Sequence, residues 1–196
     1  MAIFKKPESI INTTEYCGGC GHGIIQRLIA ESIEELGLQD KTIGVVDIAC
    51  SYWSLDALDY DMIAGPHGRL AAVATGIKKV RPEANVYVHS GDGAAYVIGL
   101  TETTYAAIRD IPITMIVANN GIFGMTGGQM NLATTLIGDR TVSSPKGRNP
   151  ETMGRPADML KAFTAYDVEF LARGALYDVK QIEEATGNNP LEVFET

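Results

Sequence analysis

The sequence has little positive charge, few cysteines and no long apolar run. Its 196 residues carry 16 Lys and Arg against 24 Asp and Glu, a formal net charge of −8. Nucleic acids and anionic membrane surfaces attract basic proteins, so neither is expected as a partner. No apolar stretch reaches the roughly 20 residues that span a bilayer, and the first residues, MAIFKK, lack the apolar centre of a signal peptide. We therefore expect a cytoplasmic protein.

What remains is an ordinary globular composition, with 45% hydrophobic and 20% charged residues. A chain of this length fits one domain, and we expect residues 1–196 to form one. Apolar segments of strand length alternate with segments of helical periodicity. This alternation predicts an α/β fold with a mostly parallel sheet and helices on both faces.

The predicted elements follow one another along the chain with one long interruption. They are a helix over 21–36, a strand over 42–49, an irregular stretch to Pro66, a helix over 70–80, a strand over 85–90, a helix over 96–109, a strand over 113–118, a helix over 156–166, a strand over 168–173, a helix over 178–184 and a short strand at 191–196. The polar, glycine-rich segment 121–156 is too long for a simple connection, so it is predicted to be a functional loop.

A glycine turn that carries one carboxylate lies between a predicted strand and a predicted helix. Gly91-Asp92-Gly93 follows the apolar strand 85–90, and Asn119-Asn120 follows the next apolar strand, 113–118. Glycines let backbone amides approach phosphate oxygens, and a carboxylate supplies the hard oxygen that Mg²⁺ prefers. Either segment alone is typical of an ordinary turn. Together, at the carboxyl ends of neighbouring strands, they predict a magnesium–diphosphate site that suits thiamine diphosphate.

The three cysteines, Cys17, Cys20 and Cys50, allow several interpretations. The Cys-x-x-Cys spacing is typical of a metal-binding or redox-active pair. A thioredoxin-type pair is less favoured, because such a pair follows a strand and this one precedes the first predicted strand. Three thiolates favour an iron–sulfur cluster, which usually takes four cysteines, so a partner chain, His22 or a further C-terminal segment would supply the fourth ligand. A structural zinc, or thiols without a metal, is the remaining interpretation.

These motifs together resemble the thiamine-diphosphate-binding beta subunit of the 2-oxoacid:ferredoxin oxidoreductases, in particular the short forms that act on 2-oxoisovalerate (ketoisovalerate) or 2-oxoglutarate. The similarity runs from about Tyr16 to Asp178. The matching segments are CGGCGHG at 17–23, PHGR at 66–69, ATG at 74–76, GDG at 91–93 and NNGIFGMTGGQ at 119–129. The resemblance implies a thiamine-diphosphate-binding fold, with an N-terminal Cys-x-x-Cys segment at 16–23 and a cofactor loop at 121–156.

The resemblance also implies a set of site residues. The implied Mg²⁺ ligands are Asp92, Asn120 and the backbone carbonyl of Ile122. The implied cofactor contacts are Gly91, Asp92, Gly93, Asn120, Ile122, Gly124, Met125, Thr126, His67 and Cys50. The implied ligands of a [4Fe-4S] cluster are Cys17, Cys20 and Cys50. Family members carry a fourth cysteine near the C-terminus, whereas this chain ends shortly after Leu191-Glu192-Val193.

His67 is the candidate catalytic residue, since imidazole exchanges protons near neutral pH and the flanking glycines expose it. The alternative for His67 is a loop histidine that bonds to the backbone. Arg69 could bind a carboxylate or phosphate, or form a surface salt bridge. Some relatives that take dicarboxylate substrates have a basic residue shortly after the third cysteine, whereas here Ser51-Tyr52-Trp53 follows Cys50, which favours an apolar substrate side chain.

The implied activity is oxidative decarboxylation of a 2-oxoacid to its acyl-CoA, with electrons passed to ferredoxin. The implied partners are a pyrimidine-binding alpha subunit, a ferredoxin-like subunit and ferredoxin itself, with the 2-oxoacid and coenzyme A as substrates. Two rival hypotheses are a non-oxidative thiamine-diphosphate decarboxylase subunit, which needs no cluster, and a shortened, non-catalytic cofactor-binding or assembly subunit.

Overall fold

The structure, a computed structural model, describes residues 5–176, and a parallel sheet forms the centre of this part of the chain. The strands are β1 (Thr42–Asp47), β2 (Asp61–Gly65), β3 (Asn85–Gly91) and β4 (Thr114–Ala118), in the spatial order β2-β1-β3-β4. All three pairings are parallel. A separate antiparallel hairpin consists of β5 (Ile122–Phe123) and β6 (Gln129–Met130).

Helices connect the strands and follow the hairpin. They are α1 (Gly21–Glu35), α2 (Leu70–Val80), α3 (Leu100–Ile108), α4 (Pro150–Met153) and α5 (Met159–Phe163). Short 3₁₀ turns lie at Gln39–Lys41, Cys50–Ser54 and Thr164–Tyr166, and a π turn at Ala94–Ile98 precedes α3.

The two faces of the sheet are covered by different helices. On one face the apolar stripe of α1 packs with Tyr87 and Ile116. On the other face Leu70 and Ala74 of α2 pack with Val86 and Val88. Neighbouring strand residues point to opposite faces, which is why Tyr87 and Val86 belong to different clusters. The predicted α/β class, with helices on both faces of a mostly parallel sheet, is confirmed.

The strand register brings the carboxyl ends of the four strands to one edge of the sheet. Asp47 at the end of β1 pairs with Gly65 at the end of β2, and Gly91 pairs with Ala118 at the end of β4. Each strand is therefore followed by a loop at this same edge, where open α/β sheets bind ligands.

Several predicted boundaries hold and others are wrong. The helix predicted over 70–80 has the same ends in the structure, and α1 ends one residue earlier than predicted. The irregular stretch predicted up to Pro66 contains β2, an edge strand whose side chains are mostly exposed, so it lacks the buried apolar run that marks the other strands.

The predictions after β3 need three further corrections. The helix predicted over 96–109 begins as the π turn and becomes α-helical at Leu100. The helix predicted over 156–166 is the short α5 followed by a 3₁₀ turn. The strand predicted over 168–173 is irregular; Leu171 packs against the cluster around Phe163, and its backbone pairs with no strand in the described part.

The predicted helix over 178–184 and the predicted C-terminal strand lie outside the described residues. Among residues 5–176, no helix combines the length and the apolar character needed to cross a membrane.

Candidate cofactor and metal site

One cavity of about 130 Å³ opens at the edge of the sheet where the strands end. It is formed by the loops after β1, β2, β3 and β4, together with the β5 region. The lining residues are His22, Ile48, Ala49, Cys50, His67, Gly91, Asp92, Gly93, Ala94, Asn120, Ile122, Phe123, Gly124, Met125 and Thr126. Every residue predicted to contact the cofactor is in this set. Cys17 and Cys20 are not.

Asp92 is a buried carboxylate at the base of the cavity, with 1% of its surface exposed. Its Oδ1 accepts a hydrogen bond from the Gly93 amide at 2.9 Å, and its Oδ2 accepts one from the Gly121 amide at 2.9 Å and one from the Thr134 hydroxyl. Burial raises the pKa of Asp92, and these three donors oppose that effect. A bound cation would compensate the remaining cost of burying the charge.

Asn120 and Ile122 lie beside Asp92 in the same cavity. Asn120 Oδ1 accepts a hydrogen bond from the Ile122 amide at 3.1 Å, which ties the two predicted ligands together. A carboxylate, an amide oxygen and a backbone carbonyl are all hard oxygen ligands, as Mg²⁺ prefers. The donor set therefore fits the predicted ion.

The two glycines around Asp92 have different structural reasons. A Cβ on Gly93 would lie 2.4 Å from the Phe123 ring, so glycine is needed there for close packing. A Cβ on Gly91 would meet no atom within 4 Å, and Gly91 lines the cavity. The space beside Gly91 is thus available to a ligand, and glycine lets the backbone approach it.

His67 is held at the cavity by a buried carboxylate. Its Nδ1 donates to Asp47 Oδ2 at 2.8 Å, and the amide of Gly68 donates to Asp47 Oδ1 at 3.2 Å. Asp47 is fully buried; burial raises its pKa, and His67 opposes the shift. With Nδ1 engaged, Nε2 is the ring nitrogen left for a ligand. The alternative, in which His67 bonds to the backbone, is wrong, because Nδ1 donates to the side chain of Asp47.

A buried hydrogen-bonded chain also reaches the cavity. His22 Nδ1 lies 3.0 Å from His89 Nε2, His89 Nδ1 lies 3.3 Å from Ser54 Oγ, and Ser54 Oγ lies 2.8 Å from the Tyr16 hydroxyl. Burial lowers the pKa of His22 to about 4 and holds that of His89 well below its usual value, so both imidazoles are neutral near pH 7.

The three cysteines lie on the side of the cavity next to the start of α1. Cys20 is the residue that precedes the helix, and the Cys20 amide donates to the Cys17 carbonyl at 3.0 Å. Cys50 lines the cavity; burial raises its pKa, the nearby Cys20 and Cys17 add to the rise, and the Met125 amide opposes it. Within residues 5–176, no three His, Cys, Asp or Glu side chains are placed to share a single metal ion.

Sequence reasoning missed the residues that hold the predicted ones in place. Asp47 ends the buried strand β1 and His89 lies within the buried strand β3, so neither is marked as a site residue by the sequence. Thr134 is one of many polar residues in a long loop, so the sequence gives no sign of its contact with Asp92. Phe123 is inside a matched segment, but its contact with Gly93 depends on two separate loops. Arg69 is at a salt bridge with Glu102 and donates to the Ile98 carbonyl, so the surface-pair alternative describes it.

Comparison with known proteins identifies the domain. Residues 45–189 match the family model described as the thiamine pyrophosphate enzyme, C-terminal TPP binding domain. This range contains the cavity-lining loops after all four strands.

Individual relatives carry names that agree with the resemblance in the sequence. Ketoisovalerate oxidoreductase subunit VorA of Methanothermobacter thermautotrophicus is 38% identical over 182 residues, which cover 92% of this chain and 38% of VorA. The 2-oxoglutarate synthase subunit KorB of Archaeoglobus fulgidus is 38% identical over 172 residues, which cover 88% of this chain and 62% of KorB. The chain thus spans between about two fifths and three fifths of these relatives.

A solved structure shows the same fold. The 2-oxoglutarate:ferredoxin oxidoreductase from Magnetococcus marinus, with 2-oxoglutarate, coenzyme A and succinyl-CoA bound, matches with a TM-score of 0.82 and 26% identity, over 98% of this chain and 67% of that one. The resemblance predicted from the sequence is confirmed.

Proposed function

The chain belongs to the thiamine pyrophosphate enzyme family through its C-terminal TPP binding domain, and from this premise we propose that it is the thiamine-diphosphate-binding subunit of a 2-oxoacid:ferredoxin oxidoreductase. The complex would convert a 2-oxoacid and coenzyme A to carbon dioxide and the acyl-CoA, and would pass the two electrons released to ferredoxin. The observation that carries the proposal is that Asp92, Asn120 and Ile122 line one cavity at the carboxyl ends of β3 and β4.

We assign the cofactor-holding roles to this chain's residues as follows. Asp92, Asn120 and the Ile122 carbonyl would hold Mg²⁺, which neutralises the diphosphate. The open space beside Gly91 and the Gly124 to Thr126 turn would receive the phosphate groups. Thiamine diphosphate, when bound, supplies the electron sink for decarboxylation.

His67 would act on the substrate side of the cavity. Asp47 accepts a hydrogen bond from Nδ1 and so fixes the ring orientation, which leaves Nε2 to hold or transfer a proton. The His67 and Phe123 rings also pack edge to face, with 6.3 Å between their centroids, so Phe123 contacts one side of the imidazole. Fixed orientation is what a proton-transfer group requires.

Cys17, Cys20 and Cys50 are proposed to bind three irons of a [4Fe-4S] cluster. Cys50 lines the cofactor cavity and lies near the other two thiols, so the cluster would be next to the cofactor, where electrons can leave. The chain has three cysteines in all, so the fourth ligand would come from elsewhere.

Partner subunits are a necessary part of the proposal. The cavity of about 130 Å³ is smaller than the roughly 300–1,000 Å³ of pockets that enclose a drug-sized ligand. A pyrimidine-binding alpha subunit would complete the enclosure, and a ferredoxin-like subunit would carry electrons onward.

The substrate is proposed to be a 2-oxoacid with an apolar side chain, such as ketoisovalerate. Two relatives with 38% and 39% identity are named ketoisovalerate oxidoreductase subunits. After Cys50 come Ser51, whose hydroxyl accepts the Asp47 amide, and the Tyr52–Trp53 aromatic pair, so no cation from this turn is available for a second carboxylate.

The test is anaerobic assay of the chain assembled with its partner subunits. Acyl-CoA formation and ferredoxin reduction that depend on both a 2-oxoacid and coenzyme A are expected, with a lower KM for 2-oxoisovalerate than for 2-oxoglutarate. Carbon dioxide release without electron transfer would instead identify the non-oxidative decarboxylase. Cofactor binding without either reaction would identify the non-catalytic subunit.

A further inference from the structure

The two carboxylate oxygens of Asp92 accept hydrogen bonds from different donors. Oδ2 accepts hydrogen bonds from the Gly121 amide and the Thr134 hydroxyl, whereas Oδ1 accepts one from the Gly93 amide. A carboxylate has about four lone-pair positions in all. Gly121 and Thr134 together supply two donors to Oδ2, so Oδ1 is the oxygen that would face a metal ion.

Thr134 donates to Asp92 through its side chain, whereas Gly93 and Gly121 donate through their backbone amides. It lies 42 positions away in the chain, and 8% of its surface is exposed. The neighbouring Thr135 hydroxyl donates to the carbonyl of Gly121, the residue between Asn120 and Ile122. Thr134 thus bonds to the Asp92 carboxylate, and Thr135 bonds to the backbone between the other two predicted magnesium ligands.

The turn that carries these threonines is internally bonded. Thr135 Oγ1 accepts the Asn131 amide at 2.8 Å, and Asn131 Oδ1 accepts the Ala133 amide at 2.9 Å. The Thr135 amide returns to the Asn131 carbonyl at 3.2 Å. We name residues 131–135 the threonine turn. Its conformation fixes the direction of the Thr134 hydroxyl.

A buried arginine holds the threonine turn through hydrogen bonds to its backbone carbonyls. Arg148, 3% exposed, donates to the Thr135 carbonyl at 2.7 Å and the Leu132 carbonyl at 2.8 Å. It also donates to the carbonyls of Gly154 at 3.0 Å and Met153 at 3.3 Å. Among the described residues Arg148 has no carboxylate partner. Burying an unpaired guanidinium is costly, so these four carbonyls are its compensation.

We propose that Thr134 is the positioning residue of the Asp92 metal ligand and that Arg148 acts through it by clamping the threonine turn. The inference rests on the proposed magnesium–thiamine diphosphate site. The Thr134 hydroxyl holds Oδ2 and so fixes the rotation of the carboxylate, which presents Oδ1 to the ion. Groups that orient a metal ligand in this way change metal affinity by roughly 10- to 100-fold when they are removed.

The experiment measures metal affinity in the full chain assembled with its partner subunits. Mn²⁺, a paramagnetic substitute for Mg²⁺, is titrated in the presence of thiamine diphosphate and followed by electron paramagnetic resonance. Thr134→Val removes the hydroxyl at nearly constant volume, whereas Thr134→Ser keeps the hydroxyl and removes the methyl group. Thr141→Val is the matched control, because Thr141 is in the same loop and bonds to Ser144 rather than to Asp92.

Thr134→Val is expected to weaken Mn²⁺ binding about 10-fold or more, while Thr134→Ser and Thr141→Val stay within about 3-fold of the wild type. Equal Mn²⁺ affinity in Thr134→Val and the wild type would overturn the inference and leave the magnesium site intact. A wild-type complex that binds no Mn²⁺ with thiamine diphosphate would overturn the proposed function as well. The thermal unfolding midpoint of the metal-free protein distinguishes a purely structural role, which would lower it without changing Mn²⁺ affinity.

Variants of Arg148 test the second part of the proposal, that this arginine acts through Thr134. Arg148→Lys keeps the charge but supplies a single donor group in place of the planar fork. We expect it to weaken Mn²⁺ binding, and to add little further loss when combined with Thr134→Val, because both changes act on the same hydroxyl. Losses that multiply in the double variant would show that Arg148 does not act through Thr134.

Discussion

Asp47 Oδ2 accepts a hydrogen bond from His67 Nδ1 at 2.8 Å, although His67 is partly exposed and Asp47 is fully buried. Asp47 is the last residue of β1 and His67 lies two residues after the end of β2, and the paired ends of these neighbouring strands bring them together. A buried carboxylate that faces one ring nitrogen fixes both the tautomer and the orientation of the imidazole. The pair explains how a loop histidine becomes a fixed group of the cavity.

Asp47→Asn should lower kcat of the assembled complex about 10-fold or more with little change in KM, because it removes the charge that orients His67. The measurement is steady-state acyl-CoA formation. Asp59→Asn, an exposed aspartate, is the control. An unchanged kcat would remove Asp47 from the proposed mechanism.

Asp92→Ala should abolish magnesium-dependent binding of thiamine diphosphate, because it deletes the only carboxylate among the predicted ligands. Binding is measured by calorimetric titration of cofactor with and without Mg²⁺. If the variant bound the cofactor as the wild type does, the site assignment would be wrong.

The two glycines beside Asp92 should respond differently to alanine. Gly93→Ala places a methyl group 2.4 Å from the Phe123 ring and should destabilise the fold by about 1–3 kcal/mol, the range for overpacking. Gly91→Ala meets no neighbour, so it should leave stability unchanged and weaken cofactor binding by filling the cavity. Urea unfolding and cofactor titration of both variants check this.

A second change tests the reason given for Gly93. Phe123→Leu removes most of the ring that the new methyl group would meet, so the double variant should recover part of the lost stability. A double variant no more stable than Gly93→Ala would contradict the Phe123 contact as the cause.

Cys17→Ser should reduce iron and acid-labile sulfide in the anaerobically purified complex and leave the fold largely intact, since Cys17 is exposed and outside the core. Iron content, sulfide content and the visible spectrum are the measurements. Iron equal to that of the wild type would remove Cys17 from the ligand set.

The buried His22–His89 pair should make stability depend on acid. Their pKa values are lowered in the folded chain, to about 4 for His22, but near 6.5 when unfolded. Protons therefore bind the unfolded chain preferentially, and the free energy of unfolding falls as pH drops from 6.5 towards 4. Each histidine contributes up to about 1.4 kcal/mol per pH unit.

His89→Gln isolates one of these contributions. Between about pH 7 and about pH 5 the variant should lose less stability than the wild type, because it lacks the neutral imidazole that takes up a proton on unfolding. Urea unfolding of the purified full chain at the two pH values measures the difference. Equal losses would show that His89 is not neutral in the folded state.

Much of the candidate site could be predicted from short segments of sequence. Gly91-Asp92-Gly93 and Asn119-Asn120 follow apolar runs, so their place at the strand ends follows from local pattern and the geometry of parallel sheets. Edge strand β2 escaped prediction because its side chains are mostly exposed, and the run over 168–173 was misassigned because apolar residues that pack on a neighbouring cluster resemble a strand.

The sequence by itself determined the α/β class, the residues that line the cavity and the resemblance to a thiamine-diphosphate-binding subunit, because these are encoded in periodicity and in contiguous motifs. Only the tertiary structure decided which groups support them: Asp47 behind His67, Phe123 over Gly93, and Thr134 on Asp92. Those contacts join residues up to 42 positions apart, and hydrogen bonds between distant side chains depend on strand register and loop path, which leave no periodic pattern in the chain.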